Sequence, residues 1–203
     1  MKTKKLLLMM SFLFIIMGMG GCEDKSNELV WKISPESRQA VIQNEVKGIV
    51  FKFCLLNEDG EPATVFNEGE NFSFYFSVTN NRNEKLYFIP KFAYSNDDNF
   101  CRIFSLSNQD FGKPYFFRGV ELIGIGAFPF ESNASCVFQQ QWIDNRNSAW
   151  EWEHAFYESL NREILAKGDY YTEFKYNFEF VSGDSESKFY TNTLSFKVYF
   201  KIQ

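Results

Sequence analysis

The chain has 203 residues, a formal net charge of −5 and a sequence pI near 5.1. An acidic chain with no basic stripe has no electrostatic reason to approach nucleic acid or an anionic membrane surface. With 25 Phe, 10 Tyr and only 5 Pro, the composition excludes a disordered protein and fits a well-packed β protein.

The first segment is an address. Lys2, Lys4 and Lys5 precede an apolar run from Leu6 to Met19, broken only by Ser11 and Gly18. Gly20 and Gly21 then lead into Cys22. A basic start, a short apolar stretch and small residues at its end make a secretory signal. The run falls short of the roughly 20 apolar residues that span a bilayer. The segment resembles a bacterial lipoprotein signal peptide ending in a lipobox, with Met19 where Leu is usual. The resemblance implies that Cys22 is acylated and becomes the first mature residue, with each buried methylene contributing about 0.8 kcal/mol of membrane affinity. A plain secretory signal and an uncleaved anchor are the alternatives. Glu23 and Asp24 resemble the export tags of some Gram-negative surface lipoproteins, or else form a solvated linker. The expected location is the cell envelope, at the outer membrane, on its periplasmic or surface face.

Residues 1–21 carry three of the 21 Lys and Arg and none of the 26 Asp and Glu, so the remaining 182 residues carry −8. That length holds one domain with a real core. Residues 22–28 read as a tether and 29–203 as a single domain.

Residues 29–33 alternate like a first strand, and 34–45 are ambiguous. Over 48–56, Ile49, Phe51, Phe53 and Leu55 share one face at period two. Asn57-Glu58-Asp59-Gly60 and Asn67-Glu68-Gly69-Glu70 are turns. Over 71–79, Phe72, Phe74, Phe76 and Val78 oppose Ser73, Tyr75, Ser77 and Thr79, the pattern of a half-buried strand. Residues 86–94 pair back, with Pro90 pointing to an edge or a bulge. Further strands are expected over 101–106, 120–125 and 135–142, with 111–117 irregular and a bend over 124–130.

Ser148 followed by Glu151 is a capping box. Trp152, Phe156, Leu160 and Ile164 recur every four residues, and Gly168 is placed to terminate a helix over about 149–166. The chain ends in a long hairpin. Its first arm, 170–181, puts Tyr170, Thr172, Phe174, Tyr176, Phe178 and Phe180 on one face. Its second, 194–202, does the same with Leu194, Phe196, Val198, Phe200 and Ile202. About eight short strands with regular turns and no β-α-β alternation predict an all-β fold, an antiparallel sandwich with one inserted or covering helix.

Three segments resemble bacterial Ig-like domains. They are the strand Phe72–Val78 ending in Thr79-Asn80-Asn81, the entry Leu165-Ala166-Lys167-Gly168-Asp169-Tyr170-Tyr171, and the closing strand over 192–202. Their order is similar to the bacterial intracellular proteinase inhibitor family and to Ig-like lipoproteins, over about half of the mature chain. The resemblance implies an Ig-like β-sandwich. The expected helix and the lipid address depart from the inhibitor pattern, and no inhibitory loop residue can be matched. The fold therefore carries over and the inhibition does not.

His154 is the only histidine, which excludes a metal site built on several imidazoles and any Ser–His or Cys–His pair that lacks it. It lies off the helical stripe and reads as an exposed helical residue. No metal or other cofactor is expected. In an oxidising compartment two of Cys54, Cys101 and Cys136 would pair, with Cys101–Cys136 preferred. The alternative is three buried thiols acting as small hydrophobes. The acidic turns 58–59, 68–70 and 97–99 read as solvated loops, with calcium binding as the lesser alternative. Trp150, two residues from the core-facing Trp152, is the leading candidate for a partner contact, with Trp142 clustered nearby. Tyr115 and Phe116, in an irregular segment, form a second candidate patch. These features predict a monomeric, non-catalytic binding or accessory module, tethered to a lipid bilayer through Cys22 and meeting a protein or glycan partner. A peptidase inhibitor is one alternative, and a hydrolase with unrecognised acids is another.

Overall fold

A computed structural model describes residues 39–117, 127–142, 157–159, 165–183 and 187–203. They belong to one compact unit, Trp31–Gln203. The described chain is all-β, with fifteen strands and a single 3-10 turn.

The first layer is a four-stranded antiparallel sheet in the order β1 (Val41–Val46), β2 (Ile49–Leu56), β4 (Phe72–Asn80), β10 (Ser135–Trp142). Lys47 and Gly48 join β1 to β2 with φ of 53° and 76°. Two successive positive angles are what a tight two-residue hairpin turn needs, and Gly48 takes its value without strain. β3 (Val65–Phe66) leaves this layer and pairs in parallel with β15 (Leu194–Ile202).

The opposing layer holds two sheets. One runs β3, β15, β12 (Gly168–Tyr176), β6 (Ile103–Ser105), β7 (Asp110–Gly112). The other runs β14 (Lys188–Tyr190), β13 (Glu179–Ser182), β5 (Leu86–Ile89), β9 (Phe128–Phe130). A two-stranded ribbon joins β8 (Tyr115–Phe117) to β11 (Tyr157–Ser159).

Period-two rows of rings fill the space between the layers. Phe51, Phe53, Phe74 and Phe76 from the first layer and Phe174, Phe178, Phe180 and Phe196 from the second are each at most 1% exposed. Phe76 sits in the middle, with ring centroids 5.2 Å from Phe196, 5.3 Å from Phe174 and 5.4 Å from Phe92. Most of these pairs meet edge to face or tilted, as the ring quadrupole favours. One polar side chain closes the end of the sandwich. Asn80, fully buried, donates from Nδ2 to the carbonyls of Glu84 and Phe130, both at 2.9 Å, and its Oδ1 accepts from Arg82 N.

Several expectations change. The strand over 86–94 ends at Ile89, because Pro90 (φ −86°, ψ 58°) leaves the extended region and starts the 3-10 turn Lys91–Tyr94. The strand over 101–106 shortens to β6, since Cys101 turns at φ 64°. The irregular stretch 111–117 contributes β7 and β8, the ambiguous 34–45 contains the start of β1, and the bend over 124–130 ends in β9. The arm 170–181 breaks at Asn177-Phe178, where the chain crosses from the β12 sheet to the β13 sheet. Phe178 bridges the break: its N–H donates to Thr191 Oγ1 at 2.9 Å, and its ring lies 4.6 Å from that of Phe51.

The helix over 149–166 does not run unbroken. Tyr157–Ser159 is strand, in register with Tyr115–Phe117, and Leu165 and Ala166 are not helical. Backbone pairing with β8 outweighs the four-residue stripe at Tyr157, a β-favouring residue. The rest of that span lies outside the described residues, as do the strands expected over 29–33 and 120–125. Among the described residues no helix is long and apolar enough to cross a membrane.

Candidate groove beside strand β12

The β12–β15 sheet has a second, outward face. Its residues come from the opposite parity to the core rows: Tyr171, Glu173 and Lys175 on β12, Lys197 and Tyr199 on β15, and Phe104 on β6. Register places Phe104, Tyr171 and Tyr199 side by side across three strands. The Phe104 and Tyr171 rings stack at 5.3 Å, and Tyr171 and Tyr199 lie 5.9 Å apart. Lys197 Nζ rests 4.0 Å from the Tyr171 ring centre and 4.9 Å from that of Tyr199. Such a contact favours the ammonium form. Tyr171 Oη donates to Asn108 Oδ1 at 2.8 Å, which fixes the ring's far end.

Glu173 stands next to this row. Its carboxylate meets Lys175 at 3.1 Å and Lys197 at 3.5 Å, and accepts from Ser195 Oγ. Burial alone would raise its pKa, but hydrogen bonds and charge from the two lysines outweigh that and hold it below the ordinary value.

The facing wall is the loop 95–100, and it is held from beneath. Ser95 Oγ accepts from the N–H groups of Asp97 and Asp98, and Asp98 Oδ1 accepts from Phe100 N at 2.7 Å. Arg102 donates to Asn96 O at 3.2 Å and pairs with Asp110 at 2.7 Å. Lys113, 3% exposed, donates to Ser95 O at 2.8 Å. Burial lowers its pKa, and burial raises that of Asp98. Phe100 anchors the loop in the core, 5.0 Å from Phe92.

Between wall and strand lies a groove of about 370 Å³, lined by Asp97, Asp98, Asn99, Phe104, Tyr171, Glu173, Phe174 and Lys175. Its volume is that of a small ligand site, and its walls are charged and aromatic on rigid supports.

The residues singled out in the sequence fall elsewhere. Trp142 is 4% exposed and stacks on Phe72 at 6.3 Å, so it is a core residue and offers no contact surface. Tyr115 is 1% exposed beneath Lys113, and is likewise core. Tyr115 lies in β8, which the reading of 111–117 as irregular concealed, while Trp142 ends the strand expected over 135–142 and points inward. Phe116 lies in β8 opposite Glu158. Cys22, Trp150 and His154 lie outside the described residues. Cys54, Cys101 and Cys136 are free thiols, so the Cys101–Cys136 bond is not formed. Cys101 sits fully buried in the turn before β6, while Cys136 lies on β10 in the opposite layer. Burial pushes the Cys54 thiol up to about 12. Among the described residues no group of three or more His, Cys, Asp or Glu is placed to hold a metal ion.

Sequence reasoning missed the groove, although the signal was present. Tyr171 and Tyr199 are aromatic residues on the polar parity of their strands. No family model matches the chain, and no curated protein does.

Proposed function

We propose that this chain is a non-catalytic binding module of the bacterial cell envelope, lipid-anchored through Cys22, whose Ig-type sandwich presents the groove beside β12 to a partner. The groove is the observation that carries the reading: a concave site with charged walls, built on a rigid sheet and a loop tied down at both ends. Pre-formed walls lower the ordering cost of binding. Glu173 stays ionised between two lysines, so it supplies charge and not a proton. A concave surface suits a receptor better than a peptidase inhibitor, which presents a protruding loop.

The Ig-type assignment draws on strand neighbours. In that fold the first, second and fifth strands adjoin in one sheet, and the third, sixth and seventh in the other. Taking β2, β4, β6, β10, β12 and β15 as the first, second, third, fifth, sixth and seventh strands reproduces those neighbours. On this reading β1 is an added edge strand, and β13 with β14 is an insertion between the last two strands.

Photo-crosslinking in the native host tests the proposal. Benzoylphenylalanine replaces Lys175 at the groove or Val137, which is 52% exposed on the outer side of the other layer. A discrete adduct from position 175 and none from position 137 is expected. Adducts of equal yield from both positions, or none from 175, overturn the proposal.

A further inference from the structure

The occupant of the groove follows from why the groove exists, given that the groove is the binding site. β6 and β12 pair antiparallel from Tyr170↔Ser105 to Thr172↔Ile103. β12 continues to Tyr176, and β15 accompanies it over the whole length. β6 does not. Arg102 N closes a turn on Asn99 O at 3.0 Å, and Cys101, at φ 64°, bends the chain out of the β6 line. In register, Arg102, Cys101 and Phe100 would have flanked Glu173, Phe174 and Lys175; the turn carries them off that line, and the loop 95–100 stands beside it as a wall. The groove is the vacated continuation of β6.

Backbone groups of successive residues in an antiparallel strand point alternately to its two neighbours. Along Glu173–Tyr176, every second residue therefore directs its N–H and C=O away from β15 and toward the groove. No backbone hydrogen bond joins that side of the stretch to another described residue. Proteins usually cover or blunt such an edge. Here it lies open at the bottom of a walled slot, with Lys175 on it.

We propose that the groove takes an extended segment of a partner polypeptide, which adds to β12 as a strand and continues β6. In this mode main-chain hydrogen bonds give affinity, and alternate side chains give specificity. Residues opposite each other share a face of the sheet. The ligand residue opposite Phe174 points inward, where Phe174 is 1% exposed and the Phe100 ring lies 5.2 Å from it, so only a small side chain fits. Its neighbours point outward, past Asp97, Asp98 and Glu173 on one side and Lys175 on the other. Glu173 is already paired with Lys175 and Lys197, whereas Asp97 on the loop wall has no ion pair among the described residues, so a basic side chain is favoured beside Asp97. The segment is thus small opposite Phe174 and basic beside it.

The probe is acetyl-Thr-Lys-Gly-Lys-Thr-amide, with a series N-methylated at one position at a time, titrated into the full chain and read by amide chemical shifts and hydrogen exchange. In the free chain the groove-facing amides of residues 173–176 exchange faster than those facing β15, and the peptide protects them. Methylation at alternate peptide positions weakens binding by about tenfold, the worth of one main-chain hydrogen bond, and methylation between them changes it little. Slow exchange in the free chain overturns the proposal, because part of the chain itself then fills the slot. So does affinity that ignores every N-methyl group. Chitohexaose shifting the same amides while the peptide shifts none sinks strand addition but leaves the groove as the site. Silence from both probes sinks both readings.

Discussion

At the scale of single residues, a polar atom in the aromatic core is out of place. Thr172 is fully buried on the inward side of β12, between Ile103 and Val198 in register, and its Oγ1 has no hydrogen-bond partner among the described residues. A hydroxyl stripped of water with nothing in exchange costs about 1–3 kcal/mol. Valine has the same branched outline without the hydroxyl. Thr172→Val is expected to raise the urea midpoint, by about 1 kcal/mol of unfolding free energy, with an unchanged m-value. A loss of stability would mean that the hydroxyl has a partner. The contrast with Asn80 is instructive. That side chain is equally buried but meets three carbonyls and one N–H, and it ends β4 where the sequence shows only a Thr-Asn turn.

At the scale of elements, the chain's crossing from the β12 sheet into the β13 sheet depends on one carboxylate as well as on Phe178. Glu179, at the start of β13, receives Lys188 Nζ of β14 at 2.9 Å and Lys91 Nζ of the 3-10 turn at 3.3 Å. Hydrogen bonding from Lys188 foremost, with Lys91, lowers its pKa against an opposing effect of burial. A carboxyl whose folded pKa is depressed contributes stability above its unfolded value and loses it as the pH falls through the folded value. With an ordinary value of 4.5, the loss begins near that pH and continues below it. The stability gap between the wild-type chain and Glu179→Gln is expected to be full at pH 7 and to narrow steadily below about 4.5. Urea titrations of both proteins at pH 7, 5, 4 and 3 check this. A gap that is flat across the series would show that the three-element ion pair contributes nothing.

At the scale of the whole molecule, the buried rows were the legible part. Phe72, Phe74, Phe76 and Val78, and likewise Phe196, Val198 and Phe200, alternate so cleanly that periodicity alone puts them inside, where the structure has them. Positions set by long-range pairing were not legible. Nothing local in Val65-Phe66 announces a parallel strand beside β15, and nothing local in Tyr157-Glu158-Ser159 outweighs a four-residue apolar stripe. The groove was hidden for a related reason, since it arises where β6 stops pairing with β12, a relation between segments 65 to 69 residues apart. The proposed membrane address is the reverse case, since it is read from the sequence alone. Its consequence is global: acylation at Cys22 would hold the sandwich at a bilayer surface and leave diffusion in two dimensions as its means of meeting a partner. Cys22→Ser removes the acceptor thiol. The variant is expected to incorporate no radiolabelled palmitate and to move from the membrane to the soluble fraction of the host, with thermal unfolding of the sandwich unchanged. A wild-type chain left unlabelled in a cell that acylates other lipoproteins would remove the anchor from the proposal, and the groove would then have to be tested as the site of a freely diffusing protein.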